Sequence, residues 1–334
     1  MTATTDTERM ARALELAASV RASTPPNPWV GCVIEAADGS VFEGATQPVG
    51  GPHAEAVAIE AAGDHDLAGA TAWVTLEPCS HHGRTPPCAD ALVAAGIGRV
   101  VVAIEDPNPQ VAGGGIDRLR AAGVTVEVGF EAAAARDLLA PYLHHCRTGR
   151  PFVVLKLAAS LDGRTAAPDA SSQWITGPSA RADAHALRAE SDAVVVGAGT
   201  VRADDPSLNV RDAPAPRGDP LRVVLGRAPG GAKVHPCMEH EGDLDDLLDL
   251  LGAKGHLQVI VEGGPTVAHA FHTAGLVDRY VVYLAPVLFG GDDARGLFAG
   301  RGAPRIADVW RGAIRSVTQL GPDLRIDLEP EETR

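Results

Sequence analysis

Cysteine is scarce in this chain, five in 334 residues and an odd number, which argues against a disulfide framework. No run of about 18 or more apolar residues occurs, so no helix is expected to span a membrane. No apolar leader follows Met1 either, since MTATTDTERM is polar and carries both charge signs. Basic charge is in deficit as well. Lys and Arg number 29 against 43 Asp and Glu, a formal net charge of −14, which disfavours a protein that follows a phosphate backbone. These absences point to the cytoplasm, to a small-molecule substrate, and to no nucleic acid or membrane as partner. A homo-oligomer is the expected assembly, its order left open.

What is present is a long alternation of strand and helix patterns. At 334 residues the chain exceeds what one core normally supports, so two domains are expected. Residues 6–20 have helical spacing, WVGCVIE reads as a buried strand, HAEAVAIEAAG as a helix ended by Gly63, and ATAWVTL as the next strand. Helix, strand, helix and strand follow in CADALVAAG, RVVVAI, GIDRLRAAG and VTVEVGF, and residues 131–146 read as one helix. The polar RTGRP then breaks the pattern, which puts a boundary after residue 148, with domains 1–148 and 149–334. The second half repeats the alternation. FVVLKLAAS, DAVVVG, LRVVL, LQVIVEGG and RYVVYLAPVLFG are strand candidates, with helices near 178–190, 244–252 and 265–274 and a loop at RDAPAPRGDP. The fold class is α/β, each sheet covered by helices.

The segment Pro78–Cys88, PCSHHGRTPPC, concentrates two cysteines, two histidines and three prolines in eleven residues. A disulfide, a redox pair and a metal site compete for it. In a reducing compartment clustered cysteines favour a metal, and eight intervening residues are too many for a CxxC pair. A catalytic zinc takes three protein ligands and keeps a fourth position open. Cys79 and Cys88 supply two, and His53 of HAE, at the start of a helix, supplies the third. Glu55 then carries the protons, because only at a helix end do residues two apart reach one site. This is the zinc nucleobase-deaminase signature with a longer cysteine spacing. His81, His82 and Arg84 lie between the thiolates, either as solvated loop or as substrate contacts. Cys32 reads as core, Cys237 stands alone, and His144, His145 and Cys146 read as a helix end in preference to a second metal site.

TPPNPWVG, HAE and PCSHHGRTPPC together resemble the bifunctional riboflavin-biosynthesis deaminase/reductase family. KLAASLDGRTA, SSQWIT, LRAESDAVVVGAGTVRADDPSLNVR and VEGGPT resemble its reductase half, so the resemblance covers nearly the whole chain. It implies a cytidine-deaminase-like three-layer α/β/α first domain and a dihydrofolate-reductase-like second one. It also implies zinc and NADPH as cofactors. The reactions implied are hydrolytic deamination of 2,5-diamino-6-(5-phosphoribosylamino)pyrimidin-4(3H)-one, then reduction of the ribosyl group to a ribityl chain. Asn27 corresponds to a substrate-binding amide. Ser172, Arg188, Leu208 and Arg211 correspond to positions around the substrate phosphate, and Glu262 to a position facing the substrate; Lys156 is taken as a further substrate-binding residue from its surroundings. Ala158, Trp174, Thr200, Asp204 and the run Gly264, Pro265, Thr266, Val267, Ala268, His269 and Ala270 correspond to cofactor positions. Gly226 and Arg227 depart from the acidic and hydroxyl residues more usual in the family.

The residues themselves add physical reasons. Glycine turns after strands, at GAGTV and GGPTV, present free N–H groups to an anion. Lys156 sits among apolar neighbours and needs a partner or a task, while Trp174 fits a core position as well as a cofactor one. Two other readings compete. One is a deaminase acting on a nucleoside or tRNA base with a regulatory nucleotide-binding second half, disfavoured by acidic charge and by intact SLDGRTA and DDPSLNVR. The other is a zinc-stabilised scaffold, which leaves Glu55 without a purpose.

Overall fold

The structure, a computed structural model, describes residues 3–80, 86–108, 111–169 and 171–331. The chain separates into two compact units, Met1–Gly149 and Arg150–Arg334. The first unit runs α1 (Ala3–Ser19), β1 (Gly31–Glu35), β2 (Val41–Ala45), α2 (Ala54–Ala62), β3 (Thr71–Val74), α3 (Cys88–Ala94), β4 (Arg99–Val102), α4 (Gly114–Ala121), β5 (Thr125–Val128), α5 (Ala132–Leu138) and α6 (Ala140–Thr148). Its sheet has the order β2-β1-β3-β4-β5. The pairings β2–β1 and β1–β3 are antiparallel, and β3–β4 and β4–β5 are parallel.

Glycines show which helix covers which face. Gly31 meets the backbone of Ala13 and Ala17 in α1 so closely that a side chain would overlap it. Gly44 meets α2 at Ala54 and Ala58 in the same way. Gly44 is the register partner of Cys32, and neighbouring residues of a strand face opposite ways, so α1 and α2 lie on opposite faces of the sheet. A three-layer α/β/α sandwich results. Cys32 is fully buried in it, as expected of a core cysteine.

The second unit runs β6 (Phe152–Ser160), β7 (Arg164–Ala166), α7 (Pro178–Glu190), β8 (Ala193–Gly197), α8 (Ala198–Asp204), β9 (Leu221–Leu225), β10 (Met238–His240), α9 (Leu244–Ala253), β11 (Gln258–Val261), α10 (Pro265–Thr273), β12 (Arg279–Ala285), β13 (Arg295–Gly296), β14 (Gly312–Leu320) and β15 (Asp323–Pro330). The main sheet has the order β10-β9-β8-β11-β6-β12-β15-β14. From β10 to β12 every pairing is parallel, and β15 and β14 add antiparallel. Alternate residues Val153, Leu155 and Leu157 of β6 join Val195, Val259 and Val261 in one core with Leu247, Leu251 and Phe271 of α9 and α10. Strands buried on both faces explain why these segments read as continuous apolar runs.

Three expectations differ from the structure. Residues 131–146 form two helices, because Pro141 lacks an N–H and starts a new helix after Leu139. GAGTV is a strand end followed directly by α8, not an open turn. β2 and the hairpin β14–β15 went unrecognised: VFEGA is short, β14 is exposed along most of its length, and the alternation in DLRIDLE of β15 was overlooked.

Candidate active sites

In the first unit, β3 leads into Pro78 and Cys79, while α2 and α3 aim their N-termini at the same point. His53 is the N-cap of α2, in extended conformation, and Cys88 is the first residue of α3. His53 Nδ1 lies 3.6 Å from Cys79 Sγ and 3.3 Å from Cys88 Sγ. The backbone N–H of Cys88 donates to Cys79 Sγ at 3.3 Å. The three donor atoms lie within 4.8 Å of one another, and no second such cluster occurs among the described residues. One imidazole nitrogen and two sulfurs form a donor set suited to zinc.

Electrostatics fit a cation. A hydrogen bond from Cys88, with help from His53, lowers the Cys79 thiol to about 4. Cys88 is pushed the other way by Cys79, burial and Glu55. The pair so placed favours a thiolate at Cys79, the form in which a cysteine binds a divalent cation. His53 titrates above its ordinary value, chiefly through Cys79. Glu55, in the first turn of α2, is buried, and burial raises its carboxyl above the usual range. Its contact with the Cys88 thiol puts it beside the cluster.

Glu77, two residues before Cys79, was missed by sequence reading. Its buried carboxylate accepts backbone N–H groups from Asp106 (3.2 Å), Gly113 (3.0 Å), Gly115 (2.9 Å) and Ile116 (3.2 Å). Gly115 is pressed against the Pro78 carbonyl, where any side chain would collide. Asp106 continues the network by accepting from Tyr142 Oη at 3.0 Å. Glu77 thereby fixes the chain on which Cys79 stands. Glu77→Ala leaves four amides without their acceptor, at about 1–3 kcal/mol for a buried one. The expected loss is at least about 3 kcal/mol of stability, with weakened zinc affinity. Urea unfolding and a zinc titration check this, and unchanged values in both refute the role.

The remaining first-unit positions are simpler. Asn27 closes a turn by donating its backbone N–H to Thr24 O at 3.0 Å and is half-buried. His81, His82 and Arg84 lie outside the described residues. His144, His145 and Cys146 lie on α6 and belong to no metal-binding cluster among the described residues. In the second unit, Cys237 is half-buried beside His235.

The second unit has a cleft of 1110 Å³ along the C-terminal ends of β11, β8 and β9 and the middle of β6, the edge where open parallel sheets bind ligands. Lys156, Ala158, Ser172, Thr200, Asp204 and Glu262 line it, as does the turn Gly264–Val267. The α10 N-terminus is less open than GGPTV suggests, because the Gly264 N–H donates to Thr200 Oγ1 at 3.2 Å. Beyond that turn, Ala268 faces the core, and His269 and Ala270 lie further along α10 outside the lining. Trp174 is not a core residue. It is 67% exposed, with the Arg181 guanidinium 4.8 Å from its ring.

Arg188 departs most from the expectation. Its Nε and Nη2 grip the Glu262 carboxylate at 2.7 and 2.9 Å, and Nη1 donates to Asn209 O at 2.5 Å. Lys156 Nζ stands 4.0 Å from the same carboxylate. Burial alone would raise Glu262, but Arg188 and Lys156 outweigh it and hold it below the ordinary range. Burial lowers Lys156. Arg188→Ala strands a buried carboxylate, which costs about 3–5 kcal/mol. Thermal unfolding of the second unit should show that loss, and an unchanged transition refutes the buried pair.

Leu208 and Arg211 belong to a loop fastened by the same grip. Leu208 is buried with φ 50°, a left-handed conformation rare for leucine. The Arg211 N–H donates to His185 Nδ1 at 3.1 Å, and its Nη1 to Asn209 Oδ1 at 2.9 Å. Arg211 is otherwise exposed. Arg227, singled out in the sequence as a departure from the family, lines the cleft, and so do Arg202 and Arg295, which sequence reading missed. Nothing local distinguishes them from other surface arginines.

Both units match known protein families. Residues 3–104 match the cytidine and deoxycytidylate deaminase zinc-binding region, and residues 151–326 match the RibD C-terminal domain. Riboflavin biosynthesis protein RibD of Escherichia coli is 44% identical over 96% of this chain and 98% of its own length. RibD of Mycobacterium tuberculosis is 44% identical over 96% of each chain. Among solved structures, Acinetobacter baumannii RibD has a TM-score of 0.89 at 42% identity, covering 98% of this chain and 99% of its own. A Thermotoga maritima diaminohydroxyphosphoribosylaminopyrimidine deaminase/5-amino-6-(5-phosphoribosylamino)uracil reductase has 0.87 at 31%, covering 97% and 98%. With a zinc-type donor cluster in one unit, a ligand cleft in the other and relatives matched end to end, the chain belongs to the RibD family of riboflavin-biosynthesis deaminase/reductases.

Proposed function

We propose that the first unit deaminates 2,5-diamino-6-(5-phosphoribosylamino)pyrimidin-4(3H)-one and that the second reduces the ribosyl group of the product to ribityl. The convergence of His53, Cys79 and Cys88 beside buried Glu55 carries this reading. The three side chains would hold one zinc, which would supply a water acidified to a pKa of roughly 7. Glu55 Oε takes a proton at that site and delivers it to a ring nitrogen; it then takes the proton of the hydroxyl added to the ring carbon and gives it to the amino group, which leaves as ammonia as the carbonyl forms. Burial of the carboxyl favours this work, because a pKa raised above the ordinary carboxyl range makes it a better base than an exposed glutamate. The Asn27 side chain supplies an amide to the substrate.

In the second unit the cofactor is NADPH, which supplies the hydride. Gly264, Pro265, Thr266 and Val267 line its path with Ala158, Thr200 and Asp204. Lys156 Nζ, made a stronger acid by burial, donates to the sugar oxygen where negative charge develops, and Glu262 keeps the ammonium in place. Arg188 acts by positioning Glu262. The substrate phosphate falls to Ser172 and Arg211, whose guanidinium still has donors to offer a dianion.

Two free thiols as metal ligands require a reducing compartment, which supports a cytoplasmic enzyme. No helix among the described residues is long and apolar enough to cross a membrane. Homo-oligomerisation is supported by β14, an edge strand with Ile314 and Val317 exposed. Light scattering tests it. The two-step reading is tested with purified, zinc-loaded protein: ammonia release from the diaminopyrimidine should precede NADPH oxidation and be required for it. NADPH oxidation on the undeaminated substrate, without ammonia release, overturns the order.

A further inference from the structure

We propose that Arg227, with Arg202, seats the 2′-phosphate of the NADPH adenosine and so makes the cleft choose NADPH over NADH. This rests on the assignment of the second unit as a dinucleotide-dependent reductase and goes beyond it by naming the residues that select the cofactor.

The order of strands lays the cleft out as a line. Lys156 on β6 is followed sideways by Glu262 after β11, Gly197 and α8 after β8, and Gly226–Arg227 after β9. Strands lie about 4.8 Å apart, so roughly 14 Å separate the β6 and β9 ends. That is the scale of an extended dinucleotide. Lys156 and Glu262 are the proton-bearing groups, so the end that gives hydride belongs beside them. The glycine turn and α10 lie next in line, where the linking phosphates pass. The adenosine end then reaches α8 and the β9 terminus, where Arg202 and Arg227 line the cleft.

Charge supports that direction. The chain carries −14 overall, yet the cleft is lined by Lys156, Arg202, Arg227 and Arg295 against only Asp204 and Glu262. Glu262 is already engaged by Arg188. Arg227 is anchored on both sides through its backbone neighbours, since the Gly226 N–H donates to His240 O at 2.8 Å and the Ala228 N–H to Glu239 Oε1 at 2.9 Å. Its side chain, 79% exposed, meets Glu241 at 3.2 Å, an exposed pair weak enough to yield to a dianion. Arg202 is exposed on α8, and among the described residues it makes no ion pair.

The test is calorimetric titration of the zinc-loaded full chain with NADPH, NADH and adenosine 2′,5′-bisphosphate. The wild type should bind NADPH more tightly than NADH and should bind the bisphosphate. Arg227→Ala and Arg202→Ala should each weaken NADPH and the bisphosphate at least about tenfold and change NADH by less than about twofold, as expected for loss of a charge-assisted hydrogen bond. Unchanged NADH affinity shows that the cleft is still folded. Glu241→Gln should tighten NADPH by freeing Arg227. Equal loss of NADPH and NADH in the arginine variants, no loss of NADPH, or equal wild-type affinity for the two cofactors overturns the proposal and leaves the reductase reading standing. A wild type that binds neither dinucleotide overturns the reductase reading itself.

Discussion

Glu55→Gln should abolish deamination, by at least about a thousandfold, while the protein still carries about one zinc per chain. The size follows from the single carboxyl serving two proton transfers, on the attacking water and on the departing ammonia. General acid–base groups contribute about 10²–10⁴ each. Zinc persists because His53, Cys79 and Cys88 are untouched and converge on one another without Glu55. The substitution is nearly isosteric, and a neutral amide suits a position where burial already disfavours charge. Metal analysis and an ammonia-release assay on one preparation separate the roles. Loss of zinc in this variant makes Glu55 a ligand or a structural prop, and retained turnover removes it from the chemistry.

Cys88→Ser should lose both zinc and deamination while leaving reduction of already deaminated substrate intact. A hydroxyl is a poor replacement for a thiolate on a soft-tolerant ion, and Cys88 also begins α3, where its N–H meets Cys79. The reductase should survive because residues 150–334 form their own compact unit, with a core on β6, β8, β11, α9 and α10. Loss of both activities together would mean that the two units do not fold independently.

The sequence alone determined the alternation of strands and helices and picked out the cluster His53, Cys79 and Cys88 that the fold brings together. Those signals are local: apolar runs of strand length, Gly63 at a helix end, and the rare residue types His53, Cys79 and Cys88 at telling spacings. α7 and α10 occupy nearly the segments that periodicity marked. Tertiary structure decided the matters that depend on long-range partners. Arg188 reads as a phosphate ligand until Glu262, 74 residues away, is seen in its grip. Gly264 reads as a free donor until Thr200 takes its N–H. Glu77 is one acidic residue among many until four amides, at Asp106, Gly113 and the start of α4, close on it. Arg202 and Arg227 become neighbours of a cleft only because a parallel sheet brings the ends of β8 and β9 side by side. A side chain's identity states what it can bond, but a buried charge or amide takes whichever partner the fold delivers, because leaving it unpaired costs more than the bond is worth.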